Sequence, residues 1–300
     1  MRSIRSILIL IILAGMAPSA ECAEISVLVD NYQRLSRSTP YRLVEKIPLG
    51  FDTYHPQGMV QFEDFFLLSS VRVMDRAKGK GEGYIFKVDN TGKKIGEVRV
   101  GEGAMYHPGG IDFDGINVWV SVAEYRPYSK SVIYTVNPNS LEKKEQFRFS
   151  DHIGAVSHVA DYNLLYGVSW GSRVIYRWKT DKKGNVIAPE EPLVTPNPIQ
   201  YIDYQDMQWV RGTPYVFMGG LAGYRSKAKD RAGVSVGGID LWDMVKREGV
   251  SFNPIPLWTD SGKSMNQNPF YITSDNGGMV FSFIPEDNRS TLYRYRAKTP

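Results

Sequence analysis

Cysteine is almost missing from this chain. The single one, Cys22, lies within the first 25 residues. No disulfide framework can form, so an oxidising compartment would add no covalent staple and the fold must rest on its core. Histidine is scarce too, with four in 300 residues. The sequence has no HExxH, no CxxC, no GxSxG elbow and no phosphate-cradling glycine loop ahead of a helix, which removes the commonest zincin, redox, serine-hydrolase and nucleotide-binding signatures. Charge of one sign is not in excess. Formal net charge is +4, and taking away Arg2, Arg5 and Glu21 leaves 34 basic against 31 acidic residues. That balance argues against nucleic acid as a partner.

Long apolar runs are confined to the N-terminus. Arg2 and Arg5 precede an apolar run from Ile7 to Ala17, followed by the small residues Ser19, Ala20 and Ala23. Eleven residues suit a signal-peptide core and are short for a bilayer span. Residues 1–23 are expected to be a signal peptide cut after Ala20 or Ala23, giving a periplasmic or secreted protein with no membrane association after cleavage. Glu21 just before Cys22 disfavours a lipid anchor, which needs a small residue there. Residues 24–40 place Leu28, Tyr32 and Leu35 on one face at helical spacing, and 41–300 are read as one domain.

What the chain does contain is a repeated phrase. "GFDTYHPQGM" (50–59) and "GEGAMYHPGGI" (101–111) share YHP, one further residue and a glycine. Three weaker copies follow at "DHIGAV", "DYQDM" and "NQNPF". Each has a polar residue four positions before an apolar one: His55/Met59, His107/Ile111, His152/Val156, Asp203/Met207 and Asn266/Phe270. The copies are 45 to 63 residues apart. After each comes a turn, an apolar strand such as "FFLLSSV" or "VWVSVAEY", a polar loop and a third strand such as "GYIFKVD" or "SVIYTVN". "IGEVRV", "EQFRF", "EPLVT" and "PIPLW" read as fourth strands. Four antiparallel strands at this period indicate an all-β, five-bladed β-propeller. The fifth blade lacks a fourth strand, and "YRLVEKIPLG" (41–50) is positioned to supply it from the N-terminal side. A sandwich of about twenty strands in two halves is the alternative, but it leaves the repeated phrase unexplained.

In a propeller the repeated polar position enters the innermost strand at one mouth of the channel. His55, His107, His152 and Asp203 are therefore candidate ligands of a divalent metal of open identity, since imidazole and carboxylate suit several first-row ions. The same ring also reads as hydrogen-bonded packing between strands. His158 is read as structural. Loops between second and third strands surround this ring and are rich in cations: Arg72, Arg76, Lys78, Lys80, Arg126, Arg173, Arg225, Lys227, Lys229 and Arg231. Arginine forks match carboxylates and phosphates, so the expected partner is an anionic small molecule or acidic glycan. Arg126 and Arg173 are candidates to hold substrate charge and Glu124 is a candidate base, with Glu286 and Asp287 the other acids nearby. Tyr125, Trp170, Arg72, Arg225 and Asn266 are candidate ligand contacts.

The motifs "YHPQGM", "YHPGGIDxDG", "VAEYRP", "DHIG", "GVSWGSR", "YIDYQD" and "PEDNRSTLYRY" resemble an exported family classed only as a domain of unknown function. The likeness runs from about Leu35 to near the C-terminus. It implies a propeller-like fold and no activity. Two functions follow from the residues themselves. One is a metal-dependent hydrolase or lyase acting on an anionic substrate. The other is a non-catalytic propeller that binds a ligand or a protein through the same loops.

Overall fold

The computed structural model describes residues 20–225, 233–275 and 278–298. Helix α1 (Ala20–Gln33) comes first, then strand β1 (Tyr41–Pro48). The remaining strands fall into antiparallel sets. The first set is β2 (His55–Gln61), β3 (Phe65–Asp75), β4 (Lys80–Asp89) and β5 (Lys94–Val100). The second is β6 (Met105–Phe113), β7 (Val118–Glu124), β8 (Ser131–Val136) and β9 (Lys143–Phe149). The third is β10 (Ile153–Val159), β11 (Leu164–Ser169) and β12 (Val174–Thr180), with β13 (Val186–Ile187) and β14 (Leu193–Pro196) both pairing with β12. The fourth is β15 (Asp203–Trp209), β16 (Tyr215–Tyr224), β17 (Val234–Asp243) and β18 (Glu248–Pro254). The last is β19 (Phe270–Asp275), β20 (Gly278–Phe283) and β21 (Thr291–Ala297).

β1 completes the last set. It runs antiparallel to β21, from Tyr41 opposite Ala297 to Pro48 opposite Thr291. The first strands of successive sets then touch in the cyclic order β2, β6, β10, β15, β19 and back to β2. The fold is all-β and propeller-like.

Apolar side chains lie between neighbouring sets rather than in one central core. Leu67 and Ile85 of the first set meet Val120 and Val132 of the second. Trp119 and Ile133 meet Leu165 and Trp178. Tyr166 and Ile175 meet Met207 and Trp242. Phe217 and Ile239 meet Phe270 and Phe281. Ile47 and Leu292 meet Phe66 and Phe86. Strands covered on both faces need no period-two alternation, and all of β8 is buried. Alternation is seen in the outer strand β5.

α1 packs where the fourth and last sets meet. Leu28 and Tyr32 of α1, and Leu35 just past its end, are buried there, and Tyr32 Oη donates to the Ile239 carbonyl at 2.5 Å. The predicted signal segment lies outside the described residues up to position 19, and α1 spans both expected cleavage points. No helix among the described residues is long and apolar enough to cross a membrane.

Two expected strands differ. The fourth strand of the fourth set is Glu248–Pro254, earlier than "PIPLW". Arg247, at φ 64°, turns the chain early, and Ile255 becomes a buried connector whose N–H donates to the Gly237 carbonyl. "EPLVT" does pair with β12, but shares that edge with β13.

Candidate functional site

The inner strands share a local device. β2, β6, β10 and β15 each carry a register shift just after their first residues, at Pro56/Gly58, Pro108/Ile111, Ile153/Ala155 and Tyr204/Asp206. Such bulges re-aim side chains at a strand end. Here they leave His55, His107, His152 and Asp203 around one recess at the mouth, with Gln57, Gly154 and Gln205 as further lining. The cavity measures about 160 Å³. Tyr125 and Trp170 also line it.

Asn266 does not join them. It is buried in a short 3-10 turn before β19, and its Nδ2 donates to the Gly220 and Gly238 carbonyls. The fifth copy enters its strand only at Phe270, so the polar position stays outside the recess.

Aromatic rings frame one side. His107 stacks on Tyr125 with centroids 4.6 Å apart, and the Arg76 guanidinium sits 4.3 Å from the Tyr125 centroid. Trp170 packs edge-on to Tyr125 and to His152, at 5.1 and 4.8 Å. Burial, with the neighbouring His152, His55 and Arg76, pushes His107 well below the usual imidazole range. Burial also lowers His152, which the Glu124 carbonyl and Asp151 only partly restore. Both rings are therefore neutral near pH 7. His152 Nδ1 donates to the Glu124 carbonyl at 2.8 Å, so Nε2 carries the lone pair. His55 Nδ1 donates to Asp287 Oδ1 at 2.7 Å. Burial pushes Asp287 up, but His55 and Lys263 outweigh it and hold the carboxyl below its usual range.

The expected metal ring does not close. Two imidazoles on one tetrahedral ion have centroids roughly 5 Å apart, given nitrogen–metal bonds of about 2 Å. His107 and His152 stand 6.4 Å apart, and Asp203 is engaged by Arg173 at 3.0 Å. Among the described residues, no group of three or more His, Cys, Asp or Glu side chains is placed to hold an ion.

Part of the expected cationic rim is neutralised from within. Arg126 pairs with Glu124 at 2.6 Å, and Arg173 with Asp203. Arg72 pairs with Glu82 at 3.6 Å, lies over Tyr54 and does not line the recess. Glu286 accepts from Tyr293 Oη and the Thr291 N–H, which ties it into the last set of strands. Arg225 is exposed at the end of β16, while Lys227, Lys229 and Arg231 lie outside the described residues. Arg76 has no carboxylate within 4 Å among the described residues and stands over the pocket wall.

The family profile for DUF6454, a family of unknown function, matches residues 12–299. The chain belongs to that family. No curated protein matches the sequence. Among solved structures, the chain is similar to a hypothetical protein from Leishmania major at 14% identity and TM-score 0.51, covering 86% of this chain and 91% of that one. It is also similar to a mannose phosphorylase from Leishmania mexicana, solved with phosphate, at 11% identity and TM-score 0.47 over 86% and 89% of the two chains. The WD40 domain of Toxoplasma gondii coronin matches at 9% identity and TM-score 0.38 over 87% and 88%. At these identities likeness concerns the chain path alone.

Sequence reasoning missed a residue beneath the recess. Asp206 is fully buried on the axis. Its Oδ1 accepts N–H bonds from Ile111 (3.1 Å) and Met207 (3.0 Å), and its Oδ2 from Met59 (3.3 Å) and Phe270 (3.2 Å). One carboxylate thus gathers backbone donors from four inner strands. The same column of the repeat holds Gly58, Gly110, Ala155 and Pro269. A Cβ on Gly58 or Gly110 would come within 2.9 or 2.7 Å of Asp206 Oδ1. One acid among four small residues was the available signal.

Proposed function

We propose that this chain is an exported five-bladed β-propeller whose mouth pocket binds an acidic sugar. The observation that carries this reading is the pair of buried imidazoles, His107 and His152, facing the same recess as Asp203. Neutral imidazoles each offer one acceptor nitrogen. Gln57 adds its Oε1, because its Nε2 donates to the Pro56 carbonyl at 2.9 Å. An acceptor-rich recess suits a ligand with several hydroxyl donors. Arg76 stands 4.3 Å from the centroid of the pocket residue Tyr125, has no carboxylate within 4 Å among the described residues, and suits one carboxylate on that ligand. A recess of about 160 Å³ accepts one sugar ring rather than a large cofactor.

Calorimetric titration with glucuronate, galacturonate and glucose tests the reading. A uronate should bind more tightly than glucose, and His152→Ala should weaken uronate binding at least about tenfold. Failure of both uronates to bind would remove the proposal.

The second reading is a metal-dependent hydrolase or lyase at the same pocket. One observation favours it. The Nδ1–H groups of His55 and His152 are each held by an oxygen, as in histidines whose other nitrogen ligates an ion. Zinc and manganese titrations of the wild type and His107→Ala decide this. One ion per chain, lost in the variant, would favour the enzyme reading. No uptake by either protein leaves the sugar reading.

A further inference from the structure

Three large aromatic side chains are strongly exposed on the face that carries the pocket. Tyr128 is 91% exposed in the loop between β7 and β8, Trp258 50% in the link from β18 to β19, and Tyr224 47% at the end of β16. The segments that carry Tyr128 and Trp258 are pinned through their backbone, and Tyr224 through its own hydroxyl. Ser129 Oγ donates to the Arg126 carbonyl at 2.7 Å and to the Glu124 carbonyl at 3.3 Å, which pins the loop holding Tyr128. Trp258 bridges to Ser264 across a tight turn, and Tyr224 Oη donates to the Tyr201 carbonyl. Tyr128 also has φ 51°, a left-handed backbone that is strained for a tyrosine. The ring is held in solvent despite that strain. The same Glu124 carbonyl receives the His152 Nδ1–H, so the Tyr128 loop and the pocket wall share an anchor.

The cations on this face extend beyond the pocket. Arg76, Lys80, Lys130 and Arg225 are exposed and have no carboxylate within 4 Å among the described residues. None of the four is among the residues that line the pocket. Exposed aromatic faces and spread cations around a recessed polar pocket match a chain of sugar rings bearing repeated acid groups.

We propose that the ligand is an acidic polysaccharide, with one unit in the pocket and its neighbours on the rim. This rests on the acidic-sugar reading of the pocket. These aromatics stand on separate segments from different strand sets and form no contiguous apolar patch of the kind that marks a protein-docking surface.

The test compares free galacturonate and glucuronate with galacturonate hexamers and hyaluronan hexamers, using the full mature chain. At least one hexamer should bind about tenfold or more tighter than its free uronate. Tyr128→Gly, which removes the ring and suits the left-handed backbone, should erase most of that gain and leave the free uronate unchanged. Raising salt from about 50 to 500 mM should weaken the hexamer more than the free uronate. Equal affinity of free and chained uronate overturns the polysaccharide proposal while the pocket reading stands. A hexamer gain untouched by Tyr128→Gly also overturns the rim assignment. No binding of any uronate, free or chained, removes both.

Discussion

Asp206 shows how one residue can hold a ring together. Burial pushes its pKa up, and the four N–H bonds from Phe270, Met207, Ile111 and Met59 oppose that. Every bond donates to the carboxyl group, so a protonated form would have no acceptor for its hydrogen. We take the side chain as ionised for that reason. Asp206→Asn should therefore cost about 3 kcal/mol or more, because an amide NH2 would face backbone N–H groups in a buried site. Chemical denaturation of the two proteins measures this. Equal stability would mean that the native carboxyl is neutral. The axial carboxylate was hidden in "YIDYQD" by its neighbour. Asp203 matches the repeated polar column, so it drew attention, and it does reach the pocket. Glu124 and Arg126 were legible as residue types near the mouth. That they neutralise each other depends on side-chain placement, which the chain order does not encode.

At the scale of elements, the inner strands explain why the YHP phrase recurs. Each must bring a polar side chain to the mouth, bulge, and then pass close to its neighbours. Gly109 marks the closest approach. An added Cβ there would fall 1.9 Å from the Gly154 carbonyl oxygen, which is backbone and cannot swing away. Gly109→Ala should cost more than about 2 kcal/mol through forced separation of β6 and β10. Gly223→Ala, where an added Cβ meets nothing within 4 Å among the described residues, should change stability by under about 0.5 kcal/mol. Comparable losses in both variants would sink the close-approach account. Strand positions were readable where turn residues bracket an apolar run. The early β18 was not, because Ile255 and Leu257 of "PIPLW" are apolar for another reason. Ile255 is buried in the connector core and Leu257 packs against it.

The whole molecule is closed by pairing its two ends, β1 with β21, which leaves no open gap between the first and last sets. Buried acids inside that closed structure set a pH response. Asp112 is pushed up to about 7 by burial, only partly offset by Ser157 and the Trp209 and Phe113 N–H groups. Asp240 is pushed up to about 6, again by burial, against donors from Tyr201, Tyr204 and Asn253. Unfolded, both titrate near pH ~4. Between about pH 4 and 7 the folded state holds more protons, so these groups stabilise it at low pH and lose that contribution as pH rises. The lowered His107 and His152 act in the opposite sense below their unfolded value of about 6.5. A variant comparison isolates the acid. Relative to Asp112→Asn, the wild type should lose stability between pH 5 and pH 8. Parallel urea midpoints for the two proteins across that range would show that Asp112 does not titrate there.

The sequence by itself determined the β class, the repeat, the N-terminal strand that closes the last set and the polar positions that reach the mouth. These follow from local rules: strand periodicity, turn residues and a phrase repeated at a fixed place in each unit. Only the tertiary structure decided how the mouth residues are partnered. Imidazole spacing, the pairing of Arg126 with Glu124 and of Arg173 with Asp203, and the exposure of Tyr128 all depend on distances between strands far apart in the chain. Coulomb and hydrogen-bond energies change over one or two ångströms. A repeat fixes which strand end a residue occupies, and the packing of neighbouring units fixes that last distance.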